Sequence, residues 1–195
     1  MKKKILSILC VIAMVFSLCA CLDQNAAEEA LLKDLNSYAA ERYESYTIKI
    51  ETANRNGGKV TEYHAVTVTD GIRNVNSRFE KINPFTIDGD TITAPEEYMT
   101  VSETTFTVSE GESTAFGLPG FRFDRDALSN VKWDDESYPY VLTADVTSTA
   151  AFMQNSIDGS NFKLEVEYVT GALYSLQLRY KTESGNNVTV TYTFG

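Results

Sequence analysis

Few residues in this 195-residue chain have the type and spacing that catalysis requires. His64 is the only histidine, so no histidine cluster exists to hold zinc, and a Ser-His-Asp triad would have to use this one ring. The sequence contains no Gly-x-Ser-x-Gly elbow and no glycine-rich phosphate loop. His64 shares strand parity with Val66 and Val68, so we expect a structural histidine on or beside an inward face.

The acidic clusters do not indicate a site either. Asp134-Asp135-Glu136 and Asp88-Gly89-Asp90 lack the ligand spacing of a calcium-binding loop, and aspartate and glycine are common turn residues. Glu165 and Glu167 project from the polar face of one predicted strand, where nothing would raise the pKa of a carboxyl group for glycoside hydrolysis. We therefore expect no enzymatic activity, no metal and no cofactor.

The N-terminal segment is typical of a bacterial export signal. Lys2, Lys3 and Lys4 precede an apolar run, Ile5–Leu18, that is short for a transmembrane helix. Leu18-Cys19-Ala20-Cys21 resembles the lipobox of bacterial lipoproteins. This resemblance implies a signal peptide of residues 1–20 and a diacylglyceryl group on Cys21, which would anchor the chain firmly in a membrane. The alternative is an ordinary secretory signal cleaved near Ala20.

Removal of the signal peptide would leave 175 residues, enough for one domain with its own core. All three cysteines lie at or before position 21, so the domain has no thiol for a disulfide or a metal. Three lysines and no acidic residue would be lost, which changes the net charge from −10 to −13. Such a charge repels nucleic acid and anionic headgroups. We expect a cell-envelope protein held on the outer face of the cytoplasmic membrane by its lipid anchor.

Residues 25–44 have the periodicity of an amphipathic helix. Asn25 is a predicted N-cap, with Glu28 three residues later. Apolar residues then recur at helical spacing: Ala27, Leu31, Leu35, Tyr38 and Ala39. We expect one helix to about Glu44, joined to the lipid by a short tether of residues 21–24.

From Tyr46 the apolar period becomes two, which predicts strands. The strands before residue 150 are expected at Tyr46–Glu51, Val60–Thr69, Ile72–Ile82 and Tyr138–Thr147, with short threonine-rich strands around Asp88-Gly89-Asp90. Tyr98–Ser109 is expected to be a further strand or a pair of strands. Asn54–Gly58 and Asp70-Gly71 are predicted turns. Val101 is out of phase with Phe106, which predicts a β-bulge between them.

Two short helices are predicted in the second half of the chain. The first would be capped by Asp124 or Asp126 and extend through Val131, and the second would be Ala150–Ile157, capped by Ser148 or Thr149. Three strands with uninterrupted alternation follow, which predicts an antiparallel meander with one apolar and one polar face. Their expected inward residues are Phe162, Leu164, Val166 and Tyr168; Tyr174, Leu176, Leu178 and Tyr180; and Val188, Val190, Tyr192 and Phe194.

A long helix, a meander with one apolar face, short later helices and a lipobox together resemble the LolA/LolB-like lipoprotein group. The resemblance covers most of residues 24–195. It implies an α+β fold in which residues 25–195 form one domain, with the N-terminal helix packed on the concave face of a curved antiparallel sheet. The sheet would have about eight to ten strands and form a half-open barrel. A cystatin-like or NTF2-like fold is the alternative, against which the number of predicted strands counts.

Aromatic residues are unusually frequent at the inward positions of the last three strands. Buried tyrosines need partners for their hydroxyl groups, so some should line a cavity rim. The candidates for contact with a hydrophobic ligand are Tyr168, Tyr174, Tyr180 and Tyr192. Phe116–Phe123 has no regular period, and its apolar residues Phe116, Leu118, Phe121 and Phe123 must be buried somewhere. This segment is either a lid over a cavity mouth or a fixed plug at one end of the sheet.

Two classes of function agree with these features. The first is non-enzymatic binding of a lipid or another hydrophobic ligand between helix and sheet. The alternative is an interaction module with a solid core, whose polar sheet face or exposed edge strand contacts another envelope protein. An apolar pocket of several hundred Å³ favours the first class, and a close-packed interior favours the second.

Overall fold

The computed structural model describes residues 25–54, 57–109 and 116–195. The predicted signal peptide, residues 1–20, and the tether with Cys21, residues 21–24, lie outside these described residues. So do residues 55 and 56 of the predicted Asn54–Gly58 turn. Among the residues that are described, no helix is both long enough and apolar enough to cross a bilayer.

The fold is an open antiparallel sheet with few helices. The helices are α1, residues 25–39, and α2, Thr149–Met153. The first six strands are β1 Ser45–Ala53, β2 Lys59–Thr69, β3 Ile72–Ile82, β4 Thr86–Asp88, β5 Thr91–Thr93 and β6 Met99–Val108. The others are β7 Leu128–Asp134, β8 Tyr140–Val146, β9 Ser160–Val169, β10 Ala172–Lys181 and β11 Asn187–Phe194.

Nine strands form one sheet in the order β6-β3-β2-β1-β11-β10-β9-β8-β7, and β4 and β5 form a separate hairpin. Every strand pair is antiparallel. The predicted antiparallel meander of the last three strands, β9 to β11, is confirmed, and the sheet consists of an N-terminal half, β6-β3-β2-β1, and a C-terminal half, β11-β10-β9-β8-β7. The halves meet where β1 pairs with β11, from Tyr46 opposite Phe194 to Ala53 opposite Asn187. β6 and β7 are the two edges, so the sheet does not close.

Turn residues define several strand ends at the predicted positions. Asp70 and Gly71 have φ angles of 51° and 78°, the left-handed values that a two-residue hairpin of the primed type requires. β3 therefore has the bounds that alternation predicts. At the start of α2, the hydroxyl oxygen of Ser148 accepts a hydrogen bond from the amide of Ala151 at 3.2 Å. Ser148 is thus the N-cap, and α2 ends at Met153 instead of continuing to Ile157.

Three predicted local features are wrong. α1 ends at residue 39 and not near Glu44, because the carbonyl of Glu44 already accepts a hydrogen bond from the amide of Val68 in β2. The helix through Val131 is replaced by β7, because Leu128 pairs with Val146 and extends the sheet. β6 has no bulge, since its register with β3 is unbroken from Ile82–Met99 to Arg73–Val108. Val101 therefore lies on the polar face and is exposed.

The two faces of the nine-stranded sheet differ in composition. The inner face carries the buried strand residues, among them Ile48, Val66, Val75, Leu142, Leu164, Val166, Leu176, Leu178 and Val190. Leu32 and Leu35 of α1, Phe121 and Phe123 of the following loop, and Phe152 and Met153 of α2 belong to the same core. The outer face carries threonine and charged residues, including Thr189, Thr191 and Thr193 of β11.

The inward prediction for Tyr174 is wrong. A shift in the register of β9 and β10 between Leu173 and Ser175 interrupts the alternation. Leu173 is consequently only 3% exposed, whereas Tyr174 is 52% exposed. The other predicted inward residues of the last three strands are buried or, at Phe162 and Tyr180, half-buried against the core.

This register shift can be tested by truncating the two neighbouring side chains. We expect Leu173→Ala to lower the free energy of unfolding by about 3 kcal/mol, because it leaves a cavity in the core. Tyr174→Ala should lower it by less than about 1 kcal/mol, because the ring is largely in solvent. Urea denaturation followed by circular dichroism measures both values. The opposite ranking would mean that the simple alternation extends through Tyr174.

Candidate functional site

The aromatic residues of the Phe116–Phe123 segment lie in the core instead of over an open mouth. Phe121 is 6% exposed and Phe123 is 1% exposed. The ring of Phe121 meets that of Tyr192 edge-on, with centroids 5.2 Å apart, and the ring of Phe123 meets that of Phe152 edge-on at 5.6 Å. Such edge contacts add to the stabilisation that burial of the rings provides. The segment therefore occupies the place on the inner face where a ligand of the predicted kind would lie.

Backbone hydrogen bonds fix the same segment on two sides. The side-chain amide of Asn36 in α1 accepts from the amide of Phe123 at 2.8 Å and donates to its carbonyl at 3.0 Å. The amide of Arg122 donates to the carbonyl of Phe152 in α2 at 2.6 Å. Because these bonds satisfy polar groups next to buried rings, breaking them would leave the groups unpaired in the core. These contacts favour the fixed plug over the moving lid.

Phe116 begins the segment in a strained backbone conformation. Its φ angle is 61°, a value that bulky residues rarely adopt. The hydroxyl of Tyr46 donates a hydrogen bond to the Phe116 carbonyl at 2.5 Å, and the Phe116 ring lies 4.7 Å from His64 and 5.2 Å from Phe106. Leu118 is half-buried against the core. Contacts with β1, β2 and β6 thus hold the Phe116 end of the Phe116–Phe123 segment in place.

Three of the four candidate tyrosines lie on the inner face. Tyr168 and Tyr192 are buried, and Tyr180 is half-buried and stacked on Phe162 at 5.1 Å. Burial raises the pKa of all three phenols, that of Tyr192 to about 12. Tyr174 points to solvent as described above. Tyr192 therefore packs against Phe121, whereas Tyr168 and Tyr180 contact Tyr140 and Phe162 of the sheet.

His64 forms a polar group with two neighbours on the inner face. Its Nδ1 lies 2.8 Å from the Ser77 hydroxyl oxygen, directly across from it on β3, and its Nε2 lies 3.8 Å from a carboxylate oxygen of Glu62. Burial lowers the pKa of His64, and Glu62 acts in the opposite direction. Period-two alternation could have predicted that Glu62 lies beside His64 on the same face. The contact with Ser77 follows only from the register of β2 and β3. The ring, packed against Phe116, supports the structural role that the sequence predicted.

The outer face contains a charged cleft of about 500 Å³ that the sequence did not indicate. It lies over β7 to β10, where Asn130 has a φ angle of 52° beside a shift in register. Lys163 contacts Asp145 at 2.5 Å, and this ammonium group holds the pKa of the Asp145 carboxyl below its usual value. Arg179 contacts Glu165 at 2.8 Å. Glu165 is thus part of an ion pair on the solvated outer face, as its predicted position on the polar face of the strand indicates.

The acidic clusters act as turn residues. Asp88-Gly89-Asp90 connects β4 and β5, and Gly89 has a φ angle of 57°. A carboxylate oxygen of Asp134 accepts a hydrogen bond from the amide of Glu136 at 2.9 Å. Within the described residues, no group of three or more histidine, cysteine, aspartate or glutamate side chains is arranged to hold a metal.

Exposed apolar side chains concentrate on the β4–β5 hairpin and the strand ends that it joins. Ile87 and Ile92 lie opposite each other in the hairpin and are 72% and 69% exposed. Phe85, Tyr98 and Met99 are also exposed, and the rings of Phe85 and Tyr98 lie 5.9 Å apart. We call these five residues the hairpin patch. Apolar patches of this kind often mark contact surfaces.

Comparison of the chain with models of known protein families finds no match. Comparison with curated proteins finds no significantly similar sequence. The resemblance to the LolA/LolB-like group therefore stays a prediction.

The fixed plug can be tested by making it polar. We expect the double variant Phe121→Ser, Phe123→Ser to lose at least about 3 kcal/mol of unfolding free energy, because both rings leave the core. Thermal and urea denaturation measure this loss. The exposed pair Ile87→Ser, Ile92→Ser, whose expected effect is small, is the matched control. A moving lid would instead give a stable double variant that binds an apolar fluorescent dye less well.

Proposed function

We propose that this protein is a lipid-anchored interaction module of the cell envelope, without enzymatic activity. Cys21 would carry the diacylglyceryl anchor on the outer face of the cytoplasmic membrane, and the domain of residues 25–195 would bind another envelope protein. The lipobox resemblance supports the anchor. The negative charge of the domain supports a protein partner over nucleic acid.

The burial of Phe121 and Phe123 carries this proposal. In a carrier of hydrophobic ligands, the inner face of the sheet would be available to the ligand. Here the ring of Phe121 contacts Tyr192, that of Phe123 contacts Phe152, and Asn36 is hydrogen-bonded to the backbone of Phe123. A ligand at this position would have to displace side chains that already fill the core. The hairpin patch and the sheet edges, in contrast, are exposed to potential partners.

The fold proposed for this module is the LolA/LolB-like one, with α1 packed on the concave face of a half-open barrel. Burial of Leu32 and Leu35 in the same core as the inner strand residues supports this position of α1. In the segment that follows α1, the ring of Tyr43 lies 4.6 Å from that of Phe194, and the Tyr43 hydroxyl accepts a hydrogen bond from the amide of Leu173 at 3.3 Å. The open edges at β6 and β7 agree with an incomplete barrel.

Binding of a lipid or another hydrophobic ligand is the second candidate function. One observation favours it. The inner face continues along β2, β3 and β6 beyond the plug, and there Phe79, between Glu62 and Ser102 of the neighbouring strands, is 37% exposed. An acyl chain could lie across this ring without displacing Phe121 or Phe123.

The lipid anchor is tested by metabolic labelling. Cells that express the wild-type chain and the Cys21→Ala variant are grown with a clickable palmitate analogue. We expect label on the wild-type protein and none on the variant, because the thioether at Cys21 is the proposed attachment. The Cys19→Ala variant is the matched control and should be labelled normally. Equal labelling of wild type and Cys21→Ala would contradict lipidation at this cysteine.

The solid core is tested by native mass spectrometry of the full protein after gentle extraction from membranes in detergent. We expect the mass of the lipid-modified chain with no additional ligand, because the plug occupies the inner face. A stoichiometric bound lipid, retained by the wild type and lost in Phe79→Ser, would establish the second candidate and exclude the solid module. Circular dichroism of Phe79→Ser provides the control for folding.

A further inference from the structure

We infer that β6 is the docking edge of this module and that its partner is an extended, basic segment of another protein. The inference rests on the proposed interaction function and assigns it a surface and a partner chemistry. The segment would add to the sheet as a further strand beside Met99–Val108. In such recognition, main-chain hydrogen bonds provide affinity and alternate side chains provide specificity.

β6 has the geometry of an edge that can accept another strand. All ten of its residues pair with β3 in an unbroken register, so its backbone is regular along its whole length. Within the described parts of the chain, no strand pairs with its other side. The sequence of β6 contains no proline, lysine or arginine, the residues that commonly protect edge strands from pairing.

The opposite edge, β7, is better protected than β6 against pairing with another strand. It has seven residues, and its register with β8 shifts between Ser129 and Lys132. Asn130 in this interval has a left-handed φ angle, and Lys132 and Asp134 are exposed charged residues. A bulge and charges of this kind turn an edge away from new partners. The two edges of one sheet therefore differ, and only β6 is regular and nearly uncharged.

The side chains beside this edge determine what the added strand should carry. On the inner face, Phe106 and Val108 are half-buried against the core, so inward positions of the partner should be apolar. On the outer face, Glu103 is exposed and its carboxylate contacts Arg78 at 3.2 Å. Arg78 also contacts Glu80, so its single positive charge balances only one of the two carboxylates, Glu80 and Glu103. Outward positions of the partner should therefore be cationic.

The chain before β6 is acidic. The β4–β5 hairpin and the loop that follows it contribute four exposed acidic residues, Asp88, Asp90, Glu96 and Glu97, which outnumber the exposed Lys81 opposite Thr100 of β6. An extended basic segment would complement this field, and steering of this kind also accelerates association. A second copy of the chain would bring two such acidic surfaces together, which disfavours edge-to-edge dimers. The hairpin patch adds apolar area next to Met99 that the partner can cover.

The test uses the full lipid-modified protein in detergent and a synthetic peptide of alternating valine and lysine, about twelve residues long, as the probe. Fluorescence anisotropy measures affinity, and hydrogen–deuterium exchange locates the bound strand. We expect the peptide to slow exchange of the β6 amides at least about tenfold. Glu103→Lys should weaken binding at least about tenfold, while Thr143→Lys, which adds a lysine to the exposed outer face of β8, should change it less than about twofold.

Several results would overturn the inference. They are absence of binding, protection outside β6, equal effects of Glu103→Lys and Thr143→Lys, or equal binding of a peptide with glutamate in place of lysine. In Glu103→Lys, Arg78 keeps its ion pair with Glu80. Thermal melting checks that this variant is folded.

A second experiment separates this inference from the proposed function. A photo-crosslinking residue is placed at Thr105 of β6 or at Thr143 of β8, both exposed on the outer face, in the membrane-anchored protein. A discrete protein adduct from Thr143 but not from Thr105 would refute β6 as the docking edge and leave the interaction function standing. An adduct between two copies at Thr105 would refute the basic partner.

Discussion

The pairing of β1 with β11 is the interaction on which the rest of the structure depends. Eight residue pairs, from Tyr46–Phe194 to Ala53–Asn187, join a strand near the start of the domain to its last strand. On one side β1 continues into β2, β3 and β6, and on the other β11 continues into β10, β9, β8 and β7. Without this pairing, each half would have two unpaired edges and an incompletely covered apolar face. The pairing also closes a loop of nearly the whole domain, which makes it entropically costly to form.

The two halves of this sheet differ in how they are covered. Over β7 to β11, inner residues such as Leu142, Val166 and Leu178 are buried in one core with Phe121, Phe123 and Phe152. Over β2, β3 and β6, burial is largely confined to Val66 and Val75, near Phe116. The apolar driving force is therefore concentrated in the C-terminal half. The N-terminal half depends more on backbone pairing and has more of its surface exposed.

The outer face of the sheet contains ion pairs, although the chain as a whole carries a net charge of −10. The outer face carries compensated ion pairs, such as Lys163 with Asp145 and Arg179 with Glu165. Exposed pairs of this kind contribute little to stability, but they keep a sheet face soluble. The excess negative charge opposes binding to anionic headgroups, so attachment would depend on the proposed lipid. A partner with complementary charge gains from the same field.

Most of the strands can be predicted from local sequence patterns, because alternation and turn chemistry act over a few residues. Ile72–Ile82, the Asp70-Gly71 turn and the Ser148 cap are examples in which local preference and final structure agree. The alternation of Phe162–Tyr168 and Val188–Phe194 likewise identified the inner face. Local patterns could not predict that β1 pairs with β11, because the sequence of neither strand indicates which strand it pairs with.

The remaining features depend on contacts between residues that are distant in the chain. Leu128 joins the sheet instead of a helix because Val146 is available to pair with it. The register shift beside Leu173 buries Leu173 and exposes Tyr174, although alternation predicts the reverse. This shift arises in the pairing of β10 with β9. The apolar residues of Phe116–Phe123 predicted burial but not its location. That location depends on Asn36, Phe152 and Tyr192, whose side chains are brought together only when the whole sheet has formed.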